Sequence, residues 1–376
     1  MKLHDLISVA YWKCWGLWPI SRKKILFSSY YGRGFSDSPK AIAQELLRRR
    51  SDLDLCWLVK NQQEADTLPA GIRPVFMDGR HRVREVATAR VWVDNCRKYE
   101  RFKRKGQFYL QTWHGFTLKR LEADAIGDLD PAYVAGAKRD AAQTDLMVTG
   151  SAFMKDIYTR SFWYDGPVEP WGTPRNDCFF REDAQLNDRI RDFFGLSRQT
   201  RLLLYAPTFR SDHSTACYGL DARAALRACE QRFGGSWAAL IRLHPNVAHQ
   251  SADLFSYDGS TVLDATGYPD MQELLCGCDL LITDYSSSMF DFALRGKPCI
   301  RFALDVEAYR QDRNFYFELE ALPFPMAENN EALCDQIAAF DAQTQAGRWA
   351  QFQAENGFCE DGNAASRCAD WILSKL

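Results

Sequence analysis

The feature that most constrains this chain is its alternation: from Lys24 onward, short β-rich runs take turns with stretches of helical spacing. KILFSSY is followed by a helical pattern over 38–50, then LDLCWLV, VFMD, a helix, VWVDN, FYLQTW and DLMVTG. Near-continuous apolar strands separated by helices predict a parallel sheet, because each parallel crossover lays a helix over the strands it joins. The pattern lapses from Asp165 through about Thr200, where Pro, Gly and charge are frequent, and then restarts. RLLLYAPT, a helix near 221–232, AALIRLHP, STVLDA, a helix over DMQELLCGC, DLLITDY, another helix and PCIRFA make the second set. The chain reads as two doubly wound α/β domains, and its 376 residues suit two cores rather than one. Such domains bind ligands past the carboxyl ends of their strands, so a central cleft with functional residues just after strands is expected.

Composition narrows the function. With 46% apolar and 26% charged residues, disordered and collagenous chains are excluded. Lys plus Arg at 47 against Asp plus Glu at 49 leaves a net charge of −2, so a polyanionic partner must be met by a local patch. One such patch is Arg97-Lys98-Tyr99-Glu100-Arg101-Phe102-Lys103-Arg104-Lys105, suited to anionic lipid or a phosphate polymer. Residues 6–20, LISVAYWKCWGLWPI, are apolar at helical spacing but carry Lys13 and are followed by Arg22-Lys23-Lys24. They are too short and too charged to span a bilayer and lack the order of a signal peptide, so 1–23 are expected to form an amphipathic helix at a membrane interface. The twelve cysteines are scattered from Cys14 to Cys368, and the close pair Cys276 and Cys278 lacks a second half for zinc. They read as reduced, packed thiols. No P-loop, no G-x-G-x-x-G and no strand-end D-x-D pair occur, so no cofactor and no metal is expected.

Two histidines stand at strand ends. His114 follows FYLQTW, with Gly115 allowing a sharp turn, and is a general-base candidate because its ordinary pKa is near neutral. His244 ends AALIRLHP, two residues after Arg242, which can donate a planar fork to phosphate. Ser286 and Ser287 follow DLLITDY at a helix start, where hydroxyls and free backbone N–H groups favour an anion. Pro207-Thr208 after RLLLYA, and Arg175 in GTPRND, each set a polar or cationic group beside a proline turn.

Taken in order, QTWHGFTLK, GTPRND, LLYAPTFR, LIRLHP and LLITDYSSSMFDFALRGKP, with YRQDRNFYF and EDGNAASR, resemble the CDP-glycerol glycerophosphotransferase family of teichoic-acid primases, polymerases and capsule relatives. The resemblance runs from about Lys24 to the C-terminus. It implies a GT-B fold, two Rossmann-like domains facing a central cleft. The domains would be 24–180 on the acceptor side and 181–363 for the CDP donor, with a helix over 364–376 crossing back to the first. It implies transfer of glycerol phosphate from CDP-glycerol to a hydroxyl of a membrane-anchored acceptor, with release of CMP, at the cytoplasmic face of a bacterial membrane. Carried over by motif, His114 and His244 become the catalytic pair. Gly115, Phe116, Thr117, Leu118, Arg175, Pro207, Thr208, Arg242, Leu243, Ser286, Ser287 and Asp291 become substrate-binding. The family often reads H-G-T-P where this chain reads His114-Gly115-Phe116-Thr117, which alters the loop beside the base. The long extra N-terminal region of the polymerases is missing, which points to a primase-like or capsule-type role. CDP-ribitol as donor, a GT-B nucleotide-sugar glycosyltransferase, and a non-catalytic polyanion-binding module are the competing readings.

Overall fold

The structure, a computed structural model, describes all residues except 1–13, 15–16, 79–80, 99–102, 126, 128, 182, 211–214, 245–246, 248–249 and 307–314. The expected helix over 1–23 lies mostly outside these residues. The chain divides into two compact units. One comprises Met1–Gly115, Leu121–Asp177 and Phe358–Leu376, the other Phe116–Arg120 and Cys178–Gly357.

The first unit is built on β1 (Ser21–Ser28), β2 (Asp54–Val59), β3 (Ile72–Phe76), β4 (Ala89–Asp94), β5 (Phe108–Gln111), β6 (Leu146–Val148) and β7 (Val168–Glu169). They form one parallel sheet in the order β3-β2-β1-β4-β5-β6-β7, with Ile25 in register between Leu55 and Val91. Both faces are covered, which is why these strands read as unbroken apolar runs. Ile25, Phe27, Trp57 and Val93 pack under Ile42 and Leu46 of the Asp37–Arg49 helix and under Cys368 and Ile372 of the Ala364–Leu373 helix. Leu26, Cys56, Trp92 and Tyr109 face Val86 of the His81–Thr88 helix.

The second unit repeats the plan with β8 (Arg201–Tyr205), β9 (Trp237–Ile241), β10 (Val262–Asp264), β11 (Leu280–Thr283), β12 (Cys299–Phe302) and β13 (Met326–Ala327). These are parallel in the order β10-β9-β8-β11-β12-β13. In both sheets the order reverses beside the first strand, between β1 and β4 and between β8 and β11, where doubly wound sheets open a ligand crevice.

Several expectations change. The stretch from Asp165 to Thr200, read as irregular, holds β7 and the Ala184–Phe193 helix, capped by Asp183 through the Leu186 N–H. β7 was illegible because it contributes two residues to a sheet edge. Phe116–Arg120, expected with the first domain, pack with the second unit, and the return to the first unit begins at Phe358.

The cationic run is mostly structural. Arg97 is buried against Asp140 and Glu122, and Lys98 against Asp94 at 3.1 Å. Lys103 pairs with Asp145 and Arg104 donates to the Ala87 carbonyl. A polyanion-binding patch therefore loses Arg97, Lys98 and Lys103, because carboxylates within the first unit already answer their charge. The twelve cysteines are free, with the Cys178 and Cys276 sulfurs 3.2 Å apart. Among the described residues, no helix is long and apolar enough to cross a membrane.

Candidate active site

At the β1/β4 switch point, the segments that leave β1, β4 and β5 meet the junction segment 172–177. His114, three residues past the end of β5 at Gln111, is half-buried, and its Nδ1 lies 3.0 Å from the Asn95 carbonyl oxygen. A carbonyl only accepts, so Nδ1 carries the proton and Nε2 is left with its lone pair. The Asn95 side chain accepts from the Tyr30 N–H at 2.9 Å. The Tyr30 hydroxyl donates to Asp37 Oδ2 at 2.6 Å, and that same oxygen receives Arg175 Nη1 at 2.8 Å. The Arg175 guanidinium lies against Gly115, since a Cβ there would fall 2.3 Å from Nη2 and 2.8 Å from Cζ. A ring of contacts thus runs from His114 through Asn95, Tyr30, Asp37 and Arg175 back to Gly115.

The backbone around this ring is strained. Tyr30, Tyr31, Asp37 and Trp113 have φ of 43°, 60°, 62° and 50°, and Gly115 has φ of 90°. Left-handed backbone at non-glycine residues costs about 1–3 kcal/mol each and persists where the surroundings enforce it, often at functional sites. Trp113 stacks on His114 with centroids 4.4 Å apart, and the Arg97 guanidinium lies over the Trp113 ring, 5.5 Å from its centroid. The imidazole is thereby held by a hydrogen bond in its plane and an aromatic face beside it.

Burial lowers the proton affinity of His114, while the Asn95 carbonyl and Asp37 raise it and Arg175 lowers it; the net position is below the ordinary histidine value. Burial pushes Asp37 up, but Arg175, the Tyr30 hydroxyl and the Ser38 N–H outweigh it and hold the carboxyl below its usual range. At neutral pH the site holds a neutral imidazole beside an ionised Asp37–Arg175 pair, which is the form a general base needs.

A side chain is poorly tolerated at Gly115. Gly115→Ala is expected to displace the Arg175 guanidinium and to force a Cβ into φ of 90°, lowering kcat/KM by roughly 100-fold through misplacement alone. Steady-state kinetics beside a thermal melt would check it.

At the matching switch point of the second unit, the Thr208 N–H and hydroxyl donate to Asp284 Oδ1 at 2.8 and 2.6 Å. Arg210 bridges Asp284 and Asp305 at 2.8 and 2.7 Å and lies over the Tyr285 ring. Pro207 is buried at the start of this turn. Ser286 accepts from the Ser288 N–H at 3.3 Å and hydroxyl at 3.0 Å, and Ser287 does not cap the Ser288–Ala293 helix; both serines are partly exposed. Arg242 donates to the Ala265 and Tyr268 carbonyls, tying β9's end to the segment after β10. Leu243 is buried, with its N–H donating to the Thr266 hydroxyl at 3.2 Å, whereas His244 is exposed and stacks on Phe209 at 5.2 Å.

Other carried-over positions are occupied by packing. Phe116 is buried among Phe290, Phe317 and Phe352, with centroids 4.6, 6.0 and 5.9 Å away. Thr117 bonds locally to Lys119, and the buried Leu118 accepts from the Tyr316 N–H at 2.9 Å. Asp291 is buried and receives Gln272 Nε2 at 3.3 Å, linking two helices. The structure thus joins His114, Gly115 and Arg175 in one unit and Pro207, Thr208 and the Asp284–Ser287 turn in the other. Sequence reasoning missed Tyr30, Asp37 and Asn95, although each lies within reach of a strand end in KILFSSY or VWVDN, the rule that found His114.

Known proteins carry the same arrangement of sheets. The chain is 31% identical over 330 residues to a teichoic acid poly(glycerol phosphate) polymerase of Bacillus subtilis (strain 168), covering 85% of this chain and 44% of the relative. It is 29% identical over 368 residues to a teichoic acid glycerol-phosphate transferase of Staphylococcus aureus (strain NCTC 8325 / PS 47), covering 94% and 93%. The chain spans about half the length of that polymerase and of a Staphylococcus epidermidis relative of the same description, 44% and 51%. The solved structure of the wall teichoic acid polymerase TagF superposes with a TM-score of 0.83 at 26% identity, covering 98% of this chain and 95% of that one. With the sheets, their switch points and these likenesses agreeing, and with residues 12–374 matching the family model described as CDP-glycerol:poly(glycerophosphate) glycerophosphotransferase, the chain belongs to that family.

Proposed function

We propose that this protein transfers glycerol phosphate from CDP-glycerol to a hydroxyl of a lipid-linked acceptor and releases CMP, in the synthesis of a teichoic-acid-like polymer. The observation that carries the reading is His114, a half-buried neutral imidazole whose Nδ1–H is anchored on Asn95 and whose Nε2 is thereby the basic atom. His114 takes the proton of the acceptor hydroxyl as its oxygen attacks the phosphorus that bears glycerol. The bond from that phosphorus to the bridging oxygen breaks, and CMP departs with the bridging oxygen and its electron pair. Arg175, aligned by Asp37, donates to the transferred phosphate, supplying charge in a fixed direction. Thr208, Arg242, His244, Ser286 and Ser287 hold the CDP moiety on the second unit, where serine hydroxyls and helix-start N–H groups favour phosphate.

The same reading takes the two doubly wound units as the two domains of a GT-B enzyme, each with its own strand-end crevice. It places the protein at the inner face of the membrane through its first twenty or so residues. Leu17 and Trp18, described residues of that apolar stretch, are 86% and 53% exposed and support this. Removing residues 1–20 is expected to move the protein from the membrane pellet to the supernatant on fractionation, and unchanged pelleting would refute the attachment.

The test of the reaction is CMP release from CDP-glycerol and, in parallel, CDP-ribitol, by the whole chain with a bacterial membrane extract as acceptor. CMP from CDP-glycerol alone supports the assignment, and CMP from CDP-ribitol alone changes the donor. Release of a nucleoside diphosphate from a nucleotide sugar would replace phosphotransfer with glycosyl transfer.

A further inference from the structure

The late motif EDGNAASR has no part in the chemistry above, yet it holds the segment that carries Arg175. Glu360 Oε2 accepts from the Thr173 N–H at 2.9 Å, and Oε1 accepts from Asn176 Nδ2 at 3.2 Å. This carboxylate is seated where side chains are missing. A Cβ on Gly150 would fall 2.0 Å from Glu360 Oε1, and one on Gly172, at φ of 93°, would fall 3.2 Å from Oε2.

The backbone beneath it is tied on both sides. The Cys359 N–H donates to the Gly150 carbonyl at 2.9 Å, and the Gly172 N–H to the Thr149 carbonyl at 3.0 Å. At the other end of the same run, the Asp177 carboxylate accepts the Ala364 and Ala365 N–H groups at 3.0 and 2.8 Å, opening the Ala364–Leu373 helix. Arg367 adds a bond to the Trp171 carbonyl at 2.9 Å. Arg175 thus lies between two anchored points of its segment, Thr173 held by Glu360 and Asp177 held by the start of the Ala364–Leu373 helix, while its side chain reaches Asp37 and Gly115.

We propose that Glu360 is a positioning residue for Arg175: seated against Gly150 and Gly172, its carboxylate fixes the Thr173–Asn176 turn so that the guanidinium lies beside Gly115 and His114. The inference rests on the reading that Arg175 meets the transferred phosphate. A carboxylate suits the task because both of its oxygens accept, one from a backbone N–H and one from an amide. Glutamine keeps the shape and one acceptor, and Asn176 can turn its amide to present an oxygen to the new NH₂ group. Alanine removes both acceptors and leaves the turn free to shift.

The experiment compares wild type, Glu360→Ala, Glu360→Gln, Arg175→Ala and the Glu360→Ala/Arg175→Ala double variant by CMP release, and measures amide hydrogen exchange over 172–177 in the folded proteins. Glu360→Ala is expected to lower kcat/KM by roughly 10- to 100-fold, the range that a misplacement of about 1 Å produces. Glu360→Gln is expected to retain most of the rate, and the double variant to be no slower than Arg175→Ala, because the two residues act as one unit. Exchange over 172–177 should quicken in Glu360→Ala. Unchanged exchange in that variant overturns the proposal, and so do losses that multiply in the double variant. A wild type that releases no CMP from either donor overturns the functional reading instead, and the exchange comparison then decides the clamp by itself.

Discussion

Replacing His114 by alanine is expected to reduce CMP release by about 10²- to 10⁴-fold, the contribution of a positioned general base, with little change in donor affinity. Asparagine at the same position should do no better, because an amide has no basic lone pair to receive the acceptor's proton. The pH profile carries the finer test. A base works when unprotonated, so kcat/KM falls as the pH drops through the His114 pKa. Burial places that pKa below the ordinary histidine value, so the plateau is expected to extend below about pH 6.5, the usual histidine midpoint. The Asp37 carboxylate raises the proton affinity of His114, so Asp37→Asn should carry the acid limb to still lower pH. A limb that moves upward, or a His114→Ala protein with undiminished CMP release, would remove His114 from the chemistry.

Asp37→Ala is expected to be the most disruptive single change for stability in the first unit. Asp37 is buried, and its Oδ2 answers both the Tyr30 hydroxyl and the buried Arg175 guanidinium. Removing one partner of a buried ion pair leaves the other charge uncompensated and costs about 3–5 kcal/mol. For a unit of this size, that corresponds to a fall of roughly 10 °C or more in the thermal midpoint. Alanine is also a poor residue for the φ of 62° found there, whereas asparagine tolerates it and keeps one acceptor. Asp37→Asn should therefore lose less stability than Asp37→Ala while still loosening Arg175. Thermal melts of both variants, followed by CMP release from whatever remains folded, check the prediction. Equal midpoints for Asp37→Ala and wild type would show that the pair contributes nothing net.

The wild-type pair also sets an acid limit. The Asp37 carboxyl is held below its usual range when folded, so its contribution is complete above the unfolded value near 3.9 and is lost as the pH falls through the folded value. Stability from this pair should persist at mildly acidic pH and disappear only in strong acid.

Much of the scaffold was legible because it is written locally. Ile25 to Phe27 and Leu280 to Ile282 are runs of consecutive apolar residues that form buried strands, and that pattern needs no tertiary information. His114, Thr208 and Ser286 could be flagged for the same reason, since a position after a strand is also a position beside the crevice of a doubly wound sheet. The surroundings of the cationic run and of Phe116 were not legible for the opposite reason. Arg97 and Lys98 read as exposed charge until Glu122, Asp140 and Asp94 are brought against them. Phe116 reads as part of the loop beside the base until Phe290, Phe317 and Phe352 gather around it.

By itself, then, the sequence determined two parallel α/β sheets, the strand ends where chemistry would stand, and the residue types suited to moving a proton and holding phosphate. Only the tertiary structure decided that His114, Asn95, Tyr30, Asp37, Arg175 and Gly115 close one ring, and that Glu360 grips the turn beneath it. Strand and helix patterns are properties of neighbouring residues, whereas a hydrogen-bonded ring depends on the register of the sheet and the left-handed turns that bring distant segments together.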